Sequence, residues 1–392
     1  MDLFPLFPLD VLTVTCSRLS LLLKLFPLVL VTLLALNACA PPPQKVAPAP
    51  TQEANLQTPE PTATAEEKGT TKLLEEEAAP VPVPPPALEA TAEAEVAVSE
   101  TTEEEATYSY GEDPEFARTC GWPVASPAPL PGSVLPEKRV VAFYGNPMST
   151  RMGILGEKPK KEMLLRLQQE VERWQLADPA TPVQPALHLI AVVAQNEPGK
   201  VGLYRKIMLD SLVEEVYGWA KEAGALLFID IQAGHDDVRD LVPRFEWILK
   251  NPDVHLGIDP EFNLLGESAV PGTKFGVLSA AEINDVSTYL TELVEKYQIP
   301  PKMLTVHRFT EEGVKGADRI ALRPEVQVII NMDGWGEPAL KRYAYMTCIV
   351  SEPVQFPGFK IFYRNDTLNG SSLMSPEDIL RLTPTPLYIQ YQ

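Results

Sequence analysis

From residue 137 onward the chain alternates two hydrophobic patterns. Short runs rich in Val, Ile, Leu and Phe occur at RVVAFYG (139–145), ALHLIAVVA (186–194), ALLFIDIQ (225–232) and VHLGID (254–259). Four more follow at KMLTVHRF (302–309), VQVIINMD (326–333), FKIFYRN (359–365) and PLYIQYQ (386–392). Such near-continuous apolar runs are those of strands covered on both faces, as in a parallel sheet. Between them, KKEMLLRLQQEVERW and KIMLDSLVEEVYGWAKEAG carry apolar residues at three- and four-residue spacing, the pattern of amphipathic helices. SAAEINDVSTYLTELVEKY opens on Ser279 with Glu282 three positions later. That is a capping box, in which each side chain satisfies the other's free backbone amide. Ser375-Pro376-Glu377-Asp378 starts a further helix, with Pro in the first turn where its missing N–H costs nothing.

Eight such rounds over roughly 255 residues predict an α/β fold, a TIM-like (β/α)8 barrel. An open doubly wound sheet is the competing architecture. No helix follows the eighth strand, so residues 116–135, with Cys120 and Trp122, are expected to fill that gap as an N-terminal strap.

The first third of the chain reads differently. Leu25 to Leu36 (LFPLVLVTLLAL) is apolar and uncharged, yet shorter than the about 20 residues of a spanning helix. Arg18 and Lys24 precede it and small residues follow, the layout of a secretory signal. From Ala40 to about Phe116 the chain is mostly Pro, Ala, Glu and Thr, which cannot bury enough apolar surface to offset ordering entropy. A disordered tether is expected there, with a reach of ~50 Å or more. Most of the acidic excess (net charge −20) falls in this tether and says little about a ligand. It does argue against nucleic acid, whose partners carry a basic footprint.

The apolar run ends Leu36-Asn37-Ala38-Cys39, which resembles the bacterial lipobox. The resemblance implies cleavage before Cys39, a lipid on its thiol and anchoring at the outer face of the bacterial cytoplasmic membrane. The division is then a lipoprotein signal peptide at 1–38, a tether at 39–115 and a barrel domain, expected to be monomeric, at 116–392. An ordinary cleaved signal, with Cys39 incidental, is the alternative. Cys120 and Cys348 are left in the mature body, and in an oxidising compartment they either form one disulfide or stay as two buried thiols.

Active sites of eight-stranded barrels lie at the C-terminal ends of the strands. Polar residues gather there: Tyr144 after strand one, Asp230 and Gln232 at strand three, Asp259 and Glu261 at strand four, and His307 at strand five. Asn331 and Asp333 close strand six, and Tyr363, Asn365 and Asp366 fall at the predicted end of strand seven. They form either an internal network that fixes strand register or an open site, since a carboxylate in a barrel mouth is costly unless paired or used.

Asp259-x-Glu261 resembles the DxE at the end of strand four in several barrel glycoside hydrolases, notably those acting on peptidoglycan or chitin. Glycosidic cleavage needs one protonated and one ionised carboxyl. The resemblance implies Glu261 as general acid and Asp259 as its partner, with Asp230 or Asp333 as the second carboxylate. Tyr144, Trp335 and Tyr363 would offer faces to a sugar, and Gln232, His307, Asn331 and Asp366 polar contacts. The fuller chitinase and lysozyme signatures are absent, and Asn365-Asp366 stands where the commonest retaining barrels carry Glu. By FIDIQAG, GIDPE, VHRFT and NMDGWG the domain resembles a family of bacterial extracellular barrel lipoproteins, which brings a fold and no established activity.

The leading expectation is a glycoside hydrolase-like enzyme without cofactor, acting on a cell-envelope or environmental glycan. A metal-dependent hydrolase or isomerase is the second reading, with Asp230, Glu261, His307 and Asp333 as ligands for Mn²⁺, Mg²⁺ or Zn²⁺. It ranks lower because only His307 reads as a strand-end histidine, with His188 and His255 near strand starts and His235 in a loop. A non-catalytic glycan or cell-wall receptor is the third. No phosphate loop and no G-x-S-x-G elbow are present.

Overall fold

The computed structural model of the chain describes residues 108–392. The signal, Cys39 and nearly all of the tether lie outside the described residues. Eight parallel strands form the frame: β1 (Arg139–Gly145), β2 (Val183–Ala194), β3 (Leu226–Ile231), β4 (Val254–Ile258), β5 (Lys302–Arg308), β6 (Val326–Met332), β7 (Phe356–Ile361) and β8 (Tyr388–Tyr391). Each pairs with its sequence neighbours, and β1 pairs with both β2 and β8, from Val140↔Tyr388 to Phe143↔Tyr391. The sheet is therefore a closed barrel rather than an open one.

Helices α1 (Lys160–Ala177), α2 (Asp210–Glu222), α3 (Ala280–Tyr297), α4 (Pro338–Tyr345) and α5 (Pro376–Leu380) cover it, with short helical turns over 238–249. The predicted capping box forms at Ser279–Glu282, and the helix start predicted at Ser375 carries a second one, Ser375–Asp378. The expectation of a helix in every gap fails between β5 and β6, which are joined by the 3-10 turns Glu311–Gly313 and Ala317–Arg319. Gly313, Gly316 and Pro324 interrupt any helical register there. Among the described residues no helix is long and apolar enough to cross a membrane.

The last residues of the strap plug the N-terminal end of the barrel. Leu135, fully buried, packs with Val140, Ala142, Ala186, Phe228, Met303, Ile329 and Tyr388. Gln327 Oε1 accepts from the amides of Val134 and Leu135 at 3.1 and 3.2 Å, tying the plug to β6. Trp122 donates its Nε1–H to Val350 O at 3.1 Å. The disulfide alternative for Cys348 is overturned: it is a free, buried thiol in the turn Met346–Val350, so no bridge joins it to Cys120. Burial pushes that thiol up to about 11, which suits a core side chain and not a reactive one.

Candidate functional site

Side chains alternate between the barrel interior and the helical shell with a period of two. Above the apolar plug layer, the interior positions turn polar. His188 on β2, Asp230 on β3, Thr305 on β5, Asn331 on β6 and Gln390 on β8 are all completely buried. The interior of such barrels is ordinarily filled by bulky branched apolar residues, so a polar layer at this depth departs from the usual packing. Gly257 on β4 makes room for it, because a Cβ there would collide with His188 Nε2 and Asp230 Oδ1.

Asp230 is the hub of this layer. Its Oδ2 accepts from the Tyr144 hydroxyl at 2.9 Å, and its Oδ1 lies 3.2 Å from His188 Nε2. The same Oδ1 lies 3.2 Å from His307 Nε2, within ion-pair range although not aligned as a hydrogen bond. His188 Nδ1 faces the Tyr388 hydroxyl at 2.5 Å and Gln390 Nε2 at 3.0 Å. His307 Nδ1 donates to Asp333 Oδ2 at 2.7 Å, and Lys360 Nζ donates to the same oxygen at 2.9 Å. Asn331 Nδ2 donates to Asp333 Oδ1 at 2.7 Å.

The charges in this stack follow from those contacts. Burial acts to raise Asp230, but the positive charge of His307 and the bond from His188 outweigh it and hold the carboxyl far below the carboxylate range. Burial acts to lower His307, but Asp333 and Asp230 flank it with negative charge and raise it to about 10. His188 is lowered to about 4 by burial, so its imidazole is neutral at pH 7. Asp333 resists the upward push of burial because His307 and Lys360 face it, and it stays ionised.

A cavity of about 620 Å³ opens above this stack at the C-terminal end of the barrel. Asp259 and Glu261 stand on its wall, Asp333 and Lys360 reach it from β6 and β7, and Phe275, Phe309 and Trp335 supply aromatic surface. Trp335 is 47% and Phe275 52% exposed, so both rings are free to meet a ligand. Asp259 caps the turn Pro260–Phe262, accepting from Glu261 N at 3.1 Å, and its other oxygen lies 3.5 Å from Gln232 Nε2. Burial pushes Asp259 up to about 8; the charges of Glu261, Asp230 and Asp333 add to the rise while His307 opposes it. Glu261 is raised too, by burial first and then by the negative charge of Asp333. Two neighbouring carboxyls shifted this way titrate as a pair and retain a proton near neutral pH.

The residues singled out in the sequence thus separate into three groups. Tyr144, Gln232, Asp259, Glu261, Asp333, Trp335 and Asn365 line the cavity. Asp230, His307 and Asn331 lie buried beneath it. Tyr363 and Asp366 are elsewhere, because β7 ends at Ile361, four residues before the predicted end. Tyr363 stacks on Tyr391 with its hydroxyl on Glu170 at 2.9 Å, on the side of α1. Asp366 is buried in an ion pair with Lys341 at 3.0 Å.

Two cavity-stack residues escaped the sequence reading. His188 reads as a strand-start residue, but β2 begins at Val183 and places it in the middle of the barrel. Lys360, a cation in the seventh apolar run, points inward, with its Nζ 4.1 Å from the centre of the Tyr144 ring. A period-two count from Gly358, set by its Asn331 pairing, would have found it. The metal-ligand set read from the sequence is also regrouped. Among the described residues, the side chains that converge as a ligand set are His188, Asp230 and His307, with neither Glu261 nor Asp333 among them.

No family model matches the chain, and no curated protein matches it. Among solved structures it is similar to a sugar phosphate isomerase/epimerase from Parabacteroides distasonis ATCC 8503. That match has 13% sequence identity and a TM-score of 0.30, covering 66% of this chain and 88% of that chain. A likeness at this level carries nothing about activity. The strand pairings alone establish the eight-stranded parallel barrel.

Proposed function

We propose that the barrel binds a glycan in the cavity at its open end and hydrolyses a glycosidic bond there. The observation that carries this reading is the raised Asp259–Glu261 pair, which shares one cavity wall system with the ionised Asp333. One protonated and one ionised carboxyl are what the reaction requires. Glu261, the more accessible of the pair, delivers its proton to the glycosidic oxygen as the bond breaks. Asp333, fixed by Lys360, Asn331 and His307, stabilises the positive charge that develops on the sugar. Water adds to the anomeric carbon and its proton returns to the carboxyl pair. Trp335 and Phe275 are suited to the apolar face of a sugar ring.

Reducing-sugar release from a panel that includes peptidoglycan and chitin fragments tests the reading. With the active substrate, kcat/KM is expected to fall on the alkaline side of its optimum, because Glu261, raised by burial and by Asp333, must hold a proton to act as acid. Burial raises both carboxyls first; Asp333 adds to both and Asp230 to Asp259, while His307 opposes both and Lys360 opposes the rise of Glu261. Binding to glycans without release from any of them would remove the hydrolysis and leave a receptor.

The location follows from the N-terminal sequence: we propose that a lipid on Cys39 anchors the chain at the outer face of the cytoplasmic membrane, with the Pro- and Glu-rich tether between anchor and barrel. Metabolic labelling with a tagged fatty acid is expected to mark the wild-type chain and not Cys39→Ser. Equal labelling of both, or of neither, would remove the anchor.

A further inference from the structure

We propose that His188, Asp230 and His307 form a binding site for one divalent transition-metal ion, placed in the barrel below the carboxyl pair. The site goes beyond glycan hydrolysis and does not depend on it. His188 Nε2 and His307 Nε2 each lie 3.2 Å from the same oxygen, Asp230 Oδ1. Atoms that bind one tetrahedral ion at about 2.0–2.1 Å from nitrogen and oxygen sit roughly 3.4 Å from one another, close to this spacing. His307 Nε2 is buried without an aligned hydrogen bond and faces Asp230 Oδ1 only as an ion pair, so an ion entering the trio takes the place of its proton.

The surroundings repeat the pattern that orients metal-binding imidazoles, in which the far ring nitrogen is held by a carboxylate or another polar group. His307 Nδ1 is held by Asp333 at 2.7 Å. His188 Nδ1 is held by the Tyr388 hydroxyl, which accepts as well as donates and so accommodates either tautomer, with the Gln390 amide nitrogen beside it as a donor. The spare oxygen of Asp230 is held by Tyr144, whose side chain lines the cavity and connects the trio to it. Six strands take part: three supply the ligands and three supply the groups behind them. Gly257 keeps β4 clear of the point where His188 and Asp230 converge. Two imidazoles and one carboxylate suit Zn²⁺ or Fe²⁺ over Mg²⁺ or Ca²⁺, which take oxygen ligands.

The test uses the full chain, stripped with chelator and then supplied with Zn²⁺ or, as a spectroscopic probe, Co²⁺. Uptake of one ion per chain is expected, with a Tm increase of roughly 5 °C at a free concentration 100 times the Kd. Co²⁺ is expected to give visible d–d absorption, and X-ray absorption to show two imidazole ligands on the bound ion. His188→Gln and the near-isosteric Asp230→Asn are expected to lose uptake while Glu261→Gln keeps it, which separates this site from the carboxyl pair above. No uptake by the wild type overturns the proposal. So does undiminished uptake by a folded Asp230→Asn chain, or an ion without imidazole ligands. Where a variant fails to fold, the ligand count on the wild type decides.

Discussion

Replacing Glu261 by Gln is expected to lower kcat on the hydrolysed glycan by about 10²–10⁴-fold with KM nearly unchanged. The substitution keeps the shape of the side chain and removes only the transferable proton. Among the described residues Glu261 makes no side-chain ion pair that the change would break, and its backbone amide still donates to Asp259. Stability should therefore stay within ~1 kcal/mol of the parent. The loss belongs to the chemical step, because a proton donor acts as the bond breaks and not in ground-state binding. Asp259→Asn is expected to do less to kcat and to move the basic limb of the pH profile downward. It removes the carboxyl that burial raises to about 8 and leaves Glu261 to titrate without it. Steady-state kinetics on the three proteins across pH, with circular dichroism as a folding control, checks both. Full activity in Glu261→Gln would sink the acid assignment.

That experiment rests on residues visible in the sequence, and the reason is local. Asp259 and Glu261 follow a strand whose end is marked by Pro260, and a strand end in a closed barrel has only one destination, the mouth. The barrel itself was legible for the same kind of reason, since apolar runs and capping boxes are set by nearest neighbours along the chain. What escaped depends on neighbours across the sheet. Pro185 and the polar Gln184 obscured the true start of β2, which is defined by pairing with Arg139 and Val140. His188 was therefore placed at the rim and not in the centre. At β7 the apolar FKIFY run continues past the last ladder partner, so its end was read too late. A strand end at residue 365 would aim Tyr363 and Asp366 at the mouth, whereas the strand stops at Ile361. Neither residue pattern nor spacing encodes which side chains share a layer of the barrel; the register does.

Asp366→Ala is expected to cost about 3–5 kcal/mol of stability, the range for removing one partner of a buried ion pair. For a domain of this size that is a Tm decrease of roughly 10 °C. The two side chains of the pair are only 1% and 2% exposed. Asp366 also accepts from the amides of Gly336 and Phe362, at 2.9 Å each. Lys341 Nζ donates to the carbonyls of Gly334 and Lys360, at 2.7 Å each, so the pair ties the loop after β6 to the end of β7. Burial brings the lysine down to about 8, with Asp366 holding it from falling further. Without the carboxylate it falls further in the folded chain, while in the unfolded chain it returns to about 10.4. Between those values the unfolded state binds more protons, so the variant's stability rises with pH, and its deficit relative to the parent shrinks from pH 7 towards pH 10, mostly by about pH 8, where the parent's own lysine also loses its proton. Adding Lys341→Met removes the uncompensated charge, and the double variant is expected to be more stable at pH 7 than the single one. Urea unfolding at both pH values decides. A deficit independent of pH, and equal in single and double variants, would show that the cost comes from the lost backbone caps and not from the charge. Because Lys341 grips the carbonyl of Lys360, the single variant also loosens the cation that faces Asp333. Its KM should rise even where the barrel remains folded.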